Sequence, residues 1–180
     1  MLKGLRLVSA AAELAAHSHA GMTRKGRPGE PYLNHLAEVA NALAIVTDGA
    51  DAELVAAGWL HDTLEDTRTT RDELEEEFGA RVAALVAEVT DDMSLSKTER
   101  RQRQIDDAPH KSSDAKLIKI ADKISNILAR IYPNPSSEKR EEDLTDYVDW
   151  AEKVVAGCRG GNATLDQMFD DTVRLARSTL

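Results

Sequence analysis

Between Trp59 and Thr67 the chain reads Trp-Leu-His-Asp-Thr-Leu-Glu-Asp-Thr, and this stretch limits the fold more than any other. On a helix, His61 and Glu65 lie one turn apart, as do Asp62 and Asp66. All four then fall within an arc of about 140°, while Ala57, Leu60 and Leu64 face the other way. Three carboxylates on one face repel one another, and each like-charged pair one turn apart costs about a few tenths of a kcal/mol. Two readings follow: a solvated acidic face, or a divalent cation that offsets the repulsion. Imidazole together with carboxylate suits Mn²⁺, Fe²⁺ or Zn²⁺ better than Ca²⁺ or Mg²⁺, which prefer shells made only of oxygen.

A chain of 180 residues is long enough for one domain with a real core, and residues 1–180 are read as one. Aromatics are only 4%, whereas Ala, Leu, Glu and Arg are abundant and β-branched runs are short, a composition that expects an all-α fold. A formal net charge of −9 repels nucleic acid and anionic membranes, so neither is expected as a partner. An anionic small molecule would need specific Lys and Arg side chains to hold it. The single cysteine, Cys158, excludes an internal disulfide and fits a reducing, cytoplasmic compartment. No segment approaches the roughly 20 apolar residues that span a bilayer, and Glu13, His17 and His19 interrupt the alanine-rich start.

Helices are expected in chain order. The first covers residues 2–20. A loop follows over Thr23–Pro31, where prolines and glycines sit among Arg24, Lys25 and Arg27, either as solubilising charge or as a grip for phosphate. Pro31 opens the next helix, to about Thr47, with His35 inside its apolar stripe. Asp51 caps the helix that carries the central stretch, and Thr70 with Glu73 has the spacing of a capping box. A charged helix runs from Ser96 to Asp107, on which Lys97 and Arg101 are one turn apart and able to share an anion. From about Asp114 to Ile131 one face carries Leu117, Ile120, Ile124, Ile127, Leu128 and Ile131. Asp122 and Asn126 lie on the mixed opposite face, where periodicity expects solvent around Asp122. A helix from about Ser137 to Ala156 and a last one capped by Asn162 complete the chain, the latter with Leu165, Met168, Phe169, Val173 and Leu175 inward.

An ordered series of motifs runs through nearly the whole chain: Arg24-Lys25; Gly29-Glu30-Pro31-Tyr32-Leu33-Asn34-His35; Leu60-His61-Asp62-Thr63-Leu64-Glu65-Asp66-Thr67; Val89-Thr90-Asp91-Asp92; Lys97; Ala108-Pro109-His110; and Lys116 through Lys123. Together they resemble the hydrolase domain of the RelA/SpoT family, in the His-Asp (HD) metal phosphohydrolase superfamily. More narrowly, they resemble its stand-alone small alarmone hydrolases.

The resemblance implies a helical bundle in which His35, His61, Asp62 and Asp122 ligate a metal, normally Mn²⁺. It also implies hydrolysis of the 3′-pyrophosphate of guanosine 3′,5′-bis(diphosphate), with Glu65 and Asp66 as the acids that move protons. Which acid is base and which is proton donor stays open. Lys25, Lys97 and Arg101 would face the phosphates, Arg24 would stack on the purine and Asn126 would bond ribose or phosphate. Alternatives are an adenosine alarmone or NADPH as substrate, or a sensor that binds nucleotide without turnover. No alarmone synthesis is expected, because no synthetase segment follows within these residues. The chain departs from the pattern at Leu36, where relatives often carry proline, at Ile127-Leu128-Ala129 after Asn126, and at Asp143, where an arginine is expected.

Overall fold

The computed structural model describes residues 2–24, 27, 29–131 and 141–180. Among them are ten α-helices, a 3-10 turn at Ala108–His110 and no strand; an isolated antiparallel bridge joins Thr23 to Pro31. The helices are α1 (Gly4–Ser18), α2 (Leu33–Val46), α3 (Ala52–Leu60), α4 (Thr63–Asp66), α5 (Arg71–Phe78), α6 (Ala80–Val89), α7 (Lys97–Asp107), α8 (Ser113–Ile131), α9 (Glu141–Ala156) and α10 (Ala163–Ser178). The fold is all-α. No helix among the described residues is long and apolar enough to cross a membrane.

Side-chain caps set several helix starts. Asp51 accepts from the Leu54 amide at the head of α3, and Asn162 accepts from Leu165 at the head of α10. Thr70 with Glu73, and Ser96 with Glu99, form reciprocal capping boxes for α5 and α7. Gly79, at φ +91°, turns the chain from α5 into α6 in a region that side chains resist. Pro31 does not open α2 as expected. It is tied into the bridge with Thr23, Tyr32 donates its amide to Met22, and the helix begins at Leu33.

Helix α8 runs through the middle and packs against α2, α6, α9 and α10, while α3 packs against α1, α2 and α6. Burial therefore goes nearly all the way round α8: Ile118, Ile120 and Ile127 are enclosed, and so are Lys119, Asp122, Lys123 and Ser125. The expectation of solvent around Asp122 is corrected by this. Its face is polar because it borders a cavity inside the bundle, not because it meets water outside. On α10, Leu165, Phe169 and Val173 point inward as read, but Leu175 is exposed and Ala176 is buried in its place. The loop expected from Tyr132 and the helix start expected near Ser137 lie outside the described residues.

The central stretch is not one continuous helix. Helix α3 ends at Leu60 and α4 restarts at Thr63, with Asp62 at φ −98° and ψ 0° and its carbonyl accepting from Glu65 and Asp66. On an unbroken helix neighbouring side chains diverge by about 100°. The corner lets His61 and Asp62 point at a common centre.

Candidate metal centre and active site

Three segments converge there. His35 comes from the first turn of α2, His61 and Asp62 from the corner between α3 and α4, and Asp122 from the middle of α8. Asp62 Oδ2 lies 3.4 Å from His35 Nε2 and 3.2 Å from His61 Nε2. Asp122 Oδ1 lies 3.4 Å and 4.0 Å from the same two nitrogens. Both imidazoles are buried, at 1% and 4% exposure, with ring centroids 5.0 Å apart.

The far side of each ring is anchored. His61 Nδ1 donates to the Gly58 carbonyl at 2.9 Å, which turns Nε2 toward the common centre. That Nε2 is buried without a hydrogen-bond partner. His35 Nδ1 meets Ser125 Oγ at 2.8 Å. An orphaned nitrogen beside a second imidazole and carboxylates is what a divalent cation of the Mn²⁺, Fe²⁺ or Zn²⁺ kind satisfies, so these residues fit such an ion. His35, His61 and Asp62 bring ligand atoms within 4.8 Å of one another, and the Asp122 carboxylate lies beside them, 3.4 Å from His35 Nε2.

The electrostatics agree. Burial alone would drive the proton off His61, but Asp62 and then Asp122 outweigh it and push the pKa up to about 9. For both aspartates burial works against the charge and is likewise overcome. His61 and His35 hold Asp62 well below the usual carboxylate range, and Lys123 with the two histidines does the same for Asp122. Three further donors steady these carboxylates: Tyr32 Oη to Asp62 Oδ2 at 2.5 Å, Lys123 Nζ to Asp122 Oδ2 at 2.7 Å, and Asn126 Nδ2 to Asp122 Oδ1 at 2.5 Å.

The centre lies in the wall of a cavity of about 610 Å³. Glu65 and Asp66 line it from α4. Burial, opposed by the Asp91 amide and helped by the charges of Asp62 and Asp91, pushes the Glu65 carboxyl up to about 7. Lys97 and Arg101 both line the cavity from α7, Lys97 exposed and Arg101 paired with Asp146 at 2.6 Å. The lining holds seven Lys and Arg against five Asp and Glu, so an anion meets net positive charge there in a protein of net charge −9.

Arg24 also reaches the lining, but its guanidinium is turned inward. It pairs with Glu38 at 2.9 Å and donates to the Ser125 carbonyl and hydroxyl at 2.8 and 2.7 Å. That arrangement commits it to holding α2 against α8, not to a stack on a base. Lys25 and the Asp143 side chain lie outside the described residues. Sequence reasoning gave no role to Tyr32, Lys123, Ser125 or Arg130. Tyr32 and Lys123 stand inside the quoted motifs, which was signal enough to find them. Arg130, whose guanidinium lies 3.7 Å over the Tyr147 ring, had none, because its partner is remote in sequence.

Comparison with known proteins identifies the family. The HD domain family model matches residues 11–147. The mouse guanosine-3′,5′-bis(diphosphate) 3′-pyrophosphohydrolase MESH1 is 46% identical over 167 residues, covering 89% of this chain and 92% of that protein. Its human counterpart is 45% identical over 159 residues, covering 87% of each. A solved metazoan ortholog of SpoT, described as hydrolysing ppGpp and acting in starvation responses, superposes over 100% of both chains with a TM-score of 0.87 at 36% identity. The chain belongs to the HD domain family, as a RelA/SpoT-type hydrolase similar to the MESH1 proteins.

Proposed function

We propose that this chain, acting over its whole length as one unit, is a Mn²⁺-dependent 3′-pyrophosphohydrolase of guanosine 3′,5′-bis(diphosphate). The observation that carries the reading is the convergence of His35, His61, Asp62 and Asp122 in the wall of a net-cationic cavity that Glu65 also enters. The names of the similar MESH1 proteins supply the substrate.

His35, His61, Asp62 and Asp122 would hold the cation, which supplies positive charge that polarises a phosphoryl oxygen and acidifies water. Water oxygen joins the phosphorus of the 3′-diphosphate, the bond to the ribose 3′-oxygen breaks, and that oxygen leaves with a proton. The products are the guanosine 5′-diphosphate and pyrophosphate. Glu65, half-buried with a pKa near neutrality, is suited to taking or giving the proton at working pH. Asp66, on the exposed side of the same turn, is the second acid. Lys97 and Arg101 are placed to meet phosphate charge, and Asn126 holds Asp122 while bordering the same space. Arg24 and Ser125 keep His35 in register.

A product assay with Mn²⁺ and a panel of guanosine alarmone, adenosine alarmone and NADPH tests this. Pyrophosphate released preferentially from the guanosine compound is expected. Equal turnover of all three would defeat the substrate assignment, and binding without pyrophosphate release would favour the sensor alternative.

A further inference from the structure

We infer that Lys119 and Gln104 form a clasp on the link between α6 and α7 that positions Glu65 for proton transfer. The inference rests on the hydrolase reading above. Glu65 sits on α4, a single turn of four residues that cannot hold a side chain rigidly by itself. Its Oε1 accepts from the Asp91 backbone amide at 2.5 Å, so the acid points where the 90–92 link allows.

That link leaves helical geometry at Thr90, whose φ −67° and ψ 131° are extended. Two side chains from other elements secure it. Lys119 of α8, only 7% exposed, donates to the Val89 carbonyl at 2.8 Å and lies 3.7 Å from Asp91 Oδ1. Gln104 of α7 donates to Asp91 Oδ2 at 2.5 Å. A buried ammonium is costly unless paired, and here the Val89 carbonyl accepts its hydrogen bond while the Asp91 carboxylate balances its charge. The polar partners of Lys119 and Gln104 are Val89 and Asp91, not the four metal-centre side chains. Their effect on the reaction passes through the Asp91 amide to the Glu65 carboxylate.

The charges facing Glu65 are Asp62 from its own corner, Asp91 from the link and Lys119 from α8. The clasp therefore sets both the direction of the carboxylate and the cationic side of its surroundings.

The test uses metal-loaded full chain carrying Lys119→Met, Gln104→Leu and the conservative Lys119→Arg. Lys119→Met is expected to lower kcat by about 10- to 100-fold, as a misplacement on the order of 1 Å does. KM stays within about twofold and bound metal is unchanged, because neither depends on where Glu65 points. Gln104→Leu is expected to lower kcat in the same way but less, and Lys119→Arg to restore it. Unchanged kcat in folded, metal-loaded Lys119→Met, or an equal loss in Lys119→Arg, overturns the clasp.

A second readout does not need turnover. In Zn²⁺-loaded protein, the Asp91 amide resonance should move on Glu65→Gln and move again on Lys119→Met, with faster hydrogen exchange. If wild-type protein released no pyrophosphate, the hydrolase reading would fall while this readout still decided the clasp. An Asp91 amide indifferent to both substitutions overturns it.

Discussion

The Tyr32 hydroxyl donates to Asp62 Oδ2 at 2.5 Å, and that oxygen is the one closest to both His35 and His61. The phenol thus fixes the rotation of a carboxylate that would otherwise have two equivalent oxygens to offer. Tyr32→Phe should leave the fold intact and weaken divalent-ion binding by about 10- to 100-fold, the range for removing an outer partner of a metal ligand. Calorimetric titration with Mn²⁺ measures this; affinity equal to wild type would remove Tyr32 from the centre.

Proton and metal compete for His61. In metal-free protein His61 keeps its proton up to about pH 9, and the cation requires bare Nε2. Apparent metal affinity should therefore fall as pH is lowered from 9 towards 7, by roughly tenfold per unit for one displaced proton.

Stability should move the opposite way without metal. The His61 value is raised, so the stabilisation from its charge is complete below its ordinary value of about 6.5 and is lost as pH climbs through about 9. Glu65, raised to about 7, also loses its share with rising pH, but that loss is nearly finished by pH 8. Melting temperatures with and without Mn²⁺ should diverge between pH 7 and 9; parallel curves would contradict the linkage.

Glu65→Gln and Asp122→Ala should separate chemistry from metal retention. The first keeps its metal and loses about 10²- to 10⁴-fold in kcat, the usual worth of a positioned acid or base. The second removes one of the two carboxylates of the metal centre, along with the acceptor of Lys123 and Asn126, and should lose metal and activity together. Metal analysis beside the pyrophosphate assay distinguishes them.

Gly58→Ala should destabilise the protein by about 1–3 kcal/mol, as overpacking does. A Cβ there would lie 2.6 Å from Leu43 Cδ1 and 3.2 Å from the Ala40 Cα on α2. Because the Gly58 carbonyl also anchors His61, the shift should reach the metal centre. Denaturant unfolding with a parallel metal titration reads both effects.

Much of this was legible in the residues. Asp51, Thr70 and Asn162 announce helix starts because a cap is a local event, complete within four residues. His61, Asp62, Glu65 and Asp66 declare a site by crowding like charge. Periodicity misjudged Asp122, because an apolar stripe tells which face meets the core but not whether the opposite face meets water or an internal cavity. It also hid the corner at Asp62, since no glycine or proline marks it. Arg24 looked available for a ligand, and its real partners, Glu38 and Ser125, are 14 and 101 positions away. Contacts of that kind belong to tertiary packing and leave no trace in local pattern.

The corner between α3 and α4 has a price in evolvability. Two consecutive residues reach one point only because the backbone turns between them by a set amount. Adding or deleting a single residue there would swing one side chain out of reach, while the surface link at Arg68 and Thr69 has no such constraint. Length variation in descendants of this chain should gather at the second place and spare the first.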